Sequence, residues 1–251
     1  MLLEVTRLAK RFGGVHAVQD VDVALDAGQI FGLIGPNGAG KTTLVNLISG
    51  QLRADAGTIR FSGSDVTTLS PDARTAHGIA RTFQGVRLFK GLSALDNVLL
   101  GRHVRMRSDV LRRLWPRGVP DRVERARARA LLGRVGLDAR AASLAGELAY
   151  GDQRRLEIAR ALASQPRLLI LDEPAAGMNP AETGVLRDLI RALAAEGLAV
   201  MLIEHDVALV MTVCQRVAVL DFGRKIAEGT PAEIQASPAV REAYLGAEEV
   251  A

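Results

Sequence analysis

The sequence predicts an α/β fold in which a parallel-sheet core carries an inserted helical subdomain. Three observations lead to it. The runs Gln29–Ile34, Leu168–Leu171 and Leu198–Ile203 are almost continuously apolar, as strands buried on both faces of a parallel sheet are. Helical patterns alternate with the last two of these. Residues 93–164, by contrast, hold little strand pattern and much helix pattern.

Size and composition agree with a single globular unit. The chain has 251 residues, 48% hydrophobic and 24% charged. A chain of this length buries roughly three quarters of its unfolded surface, so its core needs no disulfide or metal. Whole-chain disorder and fibrous architectures are excluded. The lone Cys214 can make no internal disulfide, which suits a reducing compartment. The histidines at 16, 77, 103 and 205 show no metal-ligand spacing. The N-terminus lacks the apolar core of a secretory signal, and no apolar run of 18 residues exists to span a membrane.

The elements come in order. Leu2–Leu8 and Val18–Leu25 alternate loosely and read as strands. Gln29–Ile34 is a buried strand that stops at Gly35, and a helix is expected over Lys41–Ser49, ended by Gly50. Thr58–Phe61 is another strand, preceded by the turn signal Asp55-Ala-Gly57. Asp96–Arg102, Asp121–Val135 and Asp152–Ala163 are expected helices, with Pro116 and Pro120 breaking the chain between the first two. After the strand ending at Leu171, a helix runs from Pro180 to Glu196, with Asn179 as N-cap and Pro180 at its first position. Another begins near Asp206. Val217–Leu220 and Lys225–Ala227 flank a hairpin turn at Asp221-Phe-Gly223, and Thr230-Pro231 opens short C-terminal helices.

Charge is uneven. The net charge is +4, yet residues 101–134 carry eleven arginines against Asp109, Asp121 and Glu124, leaving the rest of the chain at −4. Such a stretch is ordinarily a solvated helical face; the alternatives are anionic lipid headgroups or nucleic acid. Nucleic acid is the weaker of these, because Trp115 is the stretch's one aromatic.

Chemistry enters at Gly35-Pro-Asn-Gly-Ala-Gly-Lys-Thr42, which fits G-x-x-x-x-G-K-[ST]. At this chain's own composition, chance would produce that pattern in roughly 0.3% of such sequences. The glycines let backbone N–H groups curl around phosphate oxygens at a helix N-terminus. Lys41 would reach the β- and γ-phosphates, and Thr42 would ligate Mg²⁺. Leu168-Leu-Ile-Leu-Asp-Glu-Pro174 ends a buried strand in two carboxylates. Asp172 can hold the metal shell, and Glu173 can orient and polarise a water. Gln84 follows a short strand and could reach the metal or the water; His205 directly follows a buried strand and could contact a γ-phosphate. Alone, that glutamine would be read as solvated and that histidine as a surface or core residue.

All four features stand in the order and spacing of one family, and the chain resembles the ABC ATPases over nearly its whole length. Gly35–Thr42 resembles that family's Walker A, Leu168–Glu173 its Walker B, Gln84 its Q-loop, His205 its switch histidine and Ala175–Pro180 its D-loop. Phe12, alone a core residue, stands where the family places an aromatic on adenine. Leu148-Ala-Tyr-Gly-Asp152 lies where the family carries its LSGGQ signature, though only Leu148 and Gly151 match. The resemblance implies an ABC ATPase core with an N-terminal antiparallel β subdomain. The core would comprise residues 1–92 and 165–251 and the helical subdomain 93–164, within one domain. It implies ATP and Mg²⁺ as cofactors. ATP would be held by Phe12, Val18, Gly35, Pro36, Asn37, Gly38, Ala39, Gly40, Lys41, Thr42 and Thr43, with Ala149, Gly151 and Asp152 contributed across a dimer. The metal would sit on Thr42, Gln84 and Asp172, and catalysis would fall to Glu173, His205 and Gln84.

A narrower similarity runs through Gly78–Gln84, Val86–Phe89, Leu148–Gly151, Arg154–Arg160, Ala175–Gly177, Ile203–His205 and Tyr244–Gly246. These segments look like the G-type ATPase of branched-chain amino acid importers. That implies two integral membrane permease subunits, a second ATPase subunit (identical or paralogous), an extracytoplasmic substrate-binding protein acting indirectly, and no nucleic acid. Its place would be the cytoplasmic face of the inner membrane. Related ATPases of amide, urea and lipopolysaccharide systems share much of the pattern, and a non-transport ABC ATPase is the remaining alternative.

Overall fold

In a computed structural model, which describes residues 1–102 and 119–248, the chain forms two sheets with helices between and around them. The Arg-rich stretch, with Trp115 and Pro116, lies partly outside the described residues.

The first sheet is antiparallel, in the order β2-β1-β4-β5, from β1 (Leu3–Phe12), β2 (Val15–Leu25), β4 (Ala56–Phe61) and β5 (Ser64–Asp65). The first two strands extend well past their alternating cores and meet in a tight turn, with Phe12 opposite Val15. The second sheet has the order β10-β9-β3-β8-β7-β6. Its parallel strands are β3 (Ile30–Ile34), β6 (Ile79–Arg81), β7 (Leu168–Asp172), β8 (Ala199–Ile203) and β9 (Arg216–Asp221). β10 (Arg224–Gly229) adds antiparallel at one edge.

The continuous apolar runs are explained by what covers them. Every residue of β3, β7 and β8 is buried. Phe31, Leu168, Ile170, Met201 and Ile203 face a core shared with the antiparallel sheet and with α1 (Lys41–Ile48). Ile30, Leu169, Leu171, Val200 and Leu202 belong to a second core, filled from the opposite face by helices. Those helices include α3 (Ala94–Gly101), α4 (Val119–Arg134), α5 (Tyr150–Leu162) and α6 (Pro180–Ala195), joined through Val98, Leu132, Leu156 and Leu186. Cys214 is buried in this second core, where burial pushes its thiol up to about 12. No helix among the described residues is long and apolar enough to cross a membrane.

Caps set the helix starts. Asn179 and Glu182 form a capping box ahead of α6, and Asp206 caps α7 (Val207–Val213). Thr230 and Glu233 do the same for α8 (Pro231–Ala236), and α9 (Pro238–Glu248) completes the described chain. The helix α2 (Pro71–His77) is the element that no periodic pattern announces. Its signal is local: Ser70 as N-cap with Pro71 at the first position. The helical stretch is closed at its base, where Ser93 bridges Leu144, Ala94 N–H donates to Ser143 O and Ala145 N–H to Leu92 O.

α2 secures the helix that carries the glycine-rich loop. Arg74 is buried, and its guanidinium donates to the carbonyls of Leu47 (2.5 Å) and Ile48 (2.7 Å), at the end of α1. It also reaches Thr67 O (2.7 Å) and Leu69 O (3.1 Å). Helix ends leave carbonyls without intrahelical partners, and a buried end must find them elsewhere. Arg74→Ala would strip four carbonyls of a charged donor, so we expect a loss of roughly 2–4 kcal/mol in unfolding free energy. Urea denaturation of the wild type and variant checks this; a midpoint unchanged between them would contradict it.

Candidate functional site

The site assembles where the buried strands end. β3 runs into the loop Gly35–Gly40, which turns into α1. Two glycines make this turn possible. A Cβ on Gly35 would lie 2.1 Å from Leu220 O, and one on Gly40 would lie 2.3 Å from Ala17 O. Both have positive φ, 148° and 99°. The loop is therefore clamped between β9 and β2.

Lys41 is buried beneath the loop, and its ammonium donates to Gly35 O (2.6 Å) and Pro36 O (2.9 Å). Burial lowers its pKa; the carboxylates of Glu173 and then Asp172 pull it back up. A cation with two of its three N–H donors on the loop is placed to meet an anion lying in that loop.

The acids stand at the end of the neighbouring strand but one. Asp172, the last residue of β7, is buried and holds Arg81 Nη2 at 2.6 Å through Oδ2. Arg81 also donates to Asn46 Oδ1 (2.6 Å) and Ser49 Oγ (3.1 Å) on α1, so it ties β6, β7 and α1 together. Glu173 comes next, with φ at 49°, a left-handed conformation that a long side chain adopts only when its surroundings impose it. Its N–H donates to Ile203 O at 2.9 Å. Both carboxylate oxygens are engaged: Gln84 Nε2 donates to Oε2 (2.9 Å), and His205 Nε2, carrying its proton, donates to Oε1 (2.7 Å).

These groups share a cleft of about 500 Å³. Asn37–Thr43 form its floor, Gln84, Glu173 and His205 one wall, and Val15–Ala17, Gln19 and Phe222 the other. Another depression, about 530 Å³, lies among Arg102, Arg127, Arg134, Gln165 and Leu198. Three of its arginines are paired, Arg102 and Arg127 with Glu124 and Arg134 with Glu196, and Arg167 lies over the Phe61 ring.

Most of the residues expected at the site converge on this cleft. Asn37 to Thr43, Gln84, Glu173 and His205 line it together, while Gly35, Pro36 and Asp172 adjoin these residues in the chain without lining it. Ala149, Gly151 and Asp152 stand apart from it, at the start of α5. Gly151 is buried there, and a Cβ would lie 2.6 Å from Glu182 Oε1, so a larger residue would have to displace the Glu182 side chain. Asp152 is paired with Arg155 at 2.5 Å. Phe12 is half exposed beside Lys10 and across the turn from Val15, which lines the cleft where Phe12 does not. Val18 requires a correction: it is fully buried in the core beneath the antiparallel sheet, because β2 alternates, and its neighbours Ala17 and Gln19 face the cleft instead.

Three participants carry no distinct signal in the sequence. Arg81 lies within a segment of family similarity that assigns it no role. Arg154, buried on α5, donates to the carbonyls of Phe83 (2.9 Å) and Gln84 (2.5 Å), and so fastens the loop bearing Gln84 to the helix bearing Gly151. Glu204 is buried next to His205, with Oε1 accepting from Ala175 N–H at 2.7 Å. Burial raises its pKa to about 7 against the pull of that N–H and of the His205 N–H; the charges of Glu173 and Asp206 push it further the same way.

The donor set suits a hard cation bound together with phosphates. No group of three His, Cys, Asp or Glu side chains able to hold a metal occurs among the described residues. The available oxygens are the Thr42 hydroxyl, the Gln84 amide and the Asp172 carboxylate, the few-ligand arrangement Mg²⁺ accepts when phosphates complete its shell.

Comparisons with known proteins agree with this geometry. Residues 18–176 match the family model described as "ABC transporter", and 224–250 match "Branched-chain amino acid ATP-binding cassette transporter". The chain is 43% identical over 249 residues to the high-affinity branched-chain amino acid transport ATP-binding protein BraF of Pseudomonas aeruginosa, covering 98% of each. It is 42% identical over 251 residues to LivG of Escherichia coli K12, which has the same description, again covering 98% of each. Among solved structures, the ADP conformation of MJ1267, an ATP-binding cassette of an ABC transporter, superposes with a TM-score of 0.86 at 31% identity, covering 98% of both chains.

The buried lysine and the buried glutamate each give a measurable outcome. Lys41→Ala removes the buried cation but no core contact, so ATP binding measured by calorimetry should fall at least tenfold while circular dichroism stays unchanged. Glu204 is neutral more readily when folded than unfolded. Its contribution to stability is complete below the ordinary value of 4.5 and is lost as pH rises through about 7. Glu204→Gln should flatten the decline in unfolding free energy between pH 5 and 8, by up to roughly 3 kcal/mol at the upper end. Parallel curves for variant and wild type would contradict this.

Proposed function

The chain belongs to the ABC transporter family of ATP-binding cassettes, and on that premise we propose that its cleft is one half of a paired ATPase site that powers branched-chain amino acid import. The chain is the ATP-binding and ATP-hydrolysing subunit of such a transporter. The observation that carries the chemistry is the joint hold of Gln84 and His205 on Glu173, facing the loop that buries Lys41. The cargo class rests on the near full-length similarity to BraF and LivG and on the C-terminal match at 224–250.

The residues divide the work. The N–H groups of Gly38–Thr42 and the Lys41 ammonium receive the phosphates at the N-terminus of α1. Thr42, Gln84 and Asp172 would hold Mg²⁺, which supplies neutralising charge at the β- and γ-phosphates when bound. Glu173 orients a water and takes its proton onto a carboxylate oxygen as that water attacks. His205 donates to Glu173 and so fixes the direction in which the carboxylate points. Gln84 and His205 each take one acceptor site of the Glu173 carboxylate, and its remaining lone pairs can accept from a water. Arg154 connects the Gln84 loop to α5, because it holds the Gln84 backbone.

Ala149, Gly151 and Asp152 do not line the cleft of their own chain, so a second ATPase subunit supplies the matching helix start over the γ-phosphate. That helix start retains N–H groups and a dipole suited to an anion. The partner is an identical copy or a paralogue. The segment Gln84–Phe89 and the helical region 93–164 would meet two membrane permease subunits, with the protein on the cytoplasmic face of the inner membrane; a substrate-binding protein acts from the other side.

Glu173→Gln keeps the size of the side chain and removes the base. Turnover should fall by roughly 10²–10⁴, while ATP binding persists. A dimer with itself or with its partner ATPase should then outlast the wild-type dimer in ATP and not in ADP, as read by size-exclusion chromatography with light scattering. Wild-type hydrolysis by the variant would remove Glu173 from the role. A strain lacking the gene should lose uptake of labelled leucine, isoleucine and valine; undiminished uptake would overturn the cargo.

A further inference from the structure

The turn between β9 and β10 contains a residue that the hydrolysis reaction does not use. Asp221 pairs with Arg224, so the turn has two central residues, Phe222 and Gly223. Both have left-handed φ, 42° and 78°. This is the pattern of a type I′ hairpin turn, whose first central position favours Asn, Asp or Gly. A bulky aromatic there is an outlier in backbone terms. Its side chain is also 81% exposed, the highest among the large apolar residues described. Two unfavourable choices thus coincide at one position, and neither is relieved by packing within the chain.

The turn is held firmly and in a particular place. Gly223 N–H donates to Ala39 O (3.0 Å) in the phosphate loop, and Gln19 N–H donates to Gly223 O (2.7 Å). The Gln19 amide donates to Phe222 O at 3.2 Å. These bonds fix Phe222 on the wall of the cleft whose floor is Asn37–Thr43. Val15, 67% exposed, lines the same wall region from the β1–β2 turn. The cleft therefore has a polar end, with Lys41 and Glu173, and an apolar rim of Phe222 and Val15. A nucleoside triphosphate has the same division: charged phosphates and a flat, weakly hydrated base.

We propose that Phe222 is an aromatic wall of the nucleobase subsite, against which the base of the bound nucleotide stacks. This rests on the cleft being the nucleotide site. The turn's bonds to Ala39 and Gln19 hold the strained backbone in place, and strain so maintained beside a cleft is the pattern found at binding sites. Stacking recognises any base by its π-face, so Phe222 adds affinity for the nucleoside part and none for the phosphates.

The test is Phe222→Asn, which suits the turn and removes the ring. Calorimetric titrations with MgATP and with Mg-tripolyphosphate, which has no base, are run on wild type, Phe222→Asn, Phe222→Trp and Lys41→Ala. The expected result for Phe222→Asn is an ATP affinity lower by about tenfold, an unchanged tripolyphosphate affinity and a melting temperature equal to or above wild type. Phe222→Trp should keep the ATP affinity, and its added tryptophan emission should change with ATP and not with tripolyphosphate. An unchanged ATP affinity in Phe222→Asn overturns the proposal. So does an equal loss for both ligands, which would mean that the turn only supports the phosphate loop. A lower melting temperature with affinity intact assigns Phe222 to folding and also overturns it. Lys41→Ala separates the two readings: if it weakens neither ligand, the cleft is not the nucleotide site at all.

Discussion

The constraint on which the rest depends is that β3, β7 and β8 have no free face. Each is covered by the antiparallel sheet and α1 on one side and by helices on the other. Polar side chains cannot be placed along such strands without losing hydration, so the chemistry is forced to their ends. The C-terminal ends of β3, β7 and β8 lie side by side in register, with Asp172 opposite Ile203 and Leu33 opposite Ile203 on the other flank. The glycine-rich loop, the Asp172–Glu173 pair and the Glu204–His205 pair occupy those three ends. The cleft is thus a consequence of the core's dryness as much as of its own residues.

Around the cleft, each charged group is held by groups from other elements. Arg81 spans from Asp172 to α1, Gln84 and His205 share Glu173, Glu204 holds the loop at Ala175, and Arg154 holds the backbone at Gln84. The result is an arrangement in which the polar groups around the cleft already hold one another. Such a site has its polar groups oriented in advance of a ligand.

Much of this is legible in the residues. Apolar continuity marks the buried strands, and the spacing of Gly35, Lys41 and Thr42 marks the loop, because both are local patterns. Gln84 and His205 become legible only through their order relative to those motifs. Val18 misleads because a family position takes no account of the strand's alternation, which turns this side chain into the core. Arg81 and Arg154 are opaque for another reason. Their partners lie 91 and 70 residues away, and nothing local distinguishes them from the many other arginines of this chain. The helix α2 escapes the pattern although Ser70-Pro71 is a start signal, because seven residues are too few to show a period.

The bridge between Ser93 and Leu144 has a consequence of a different kind. The chain leaves the core before Ser93 and comes back at Leu144 to the same point, and the bonds from Ala94 to Ser143 and from Ala145 to Leu92 close that neck. Residues inserted or deleted beyond the neck change the entropy of one closed loop, which grows only with the logarithm of its length. The region between Ser93 and Leu144 is thus a peninsula joined to the mainland by one isthmus, and its shore, at Val98, Leu132 and Leu137, still has to fit the core that covers β3, β7 and β8.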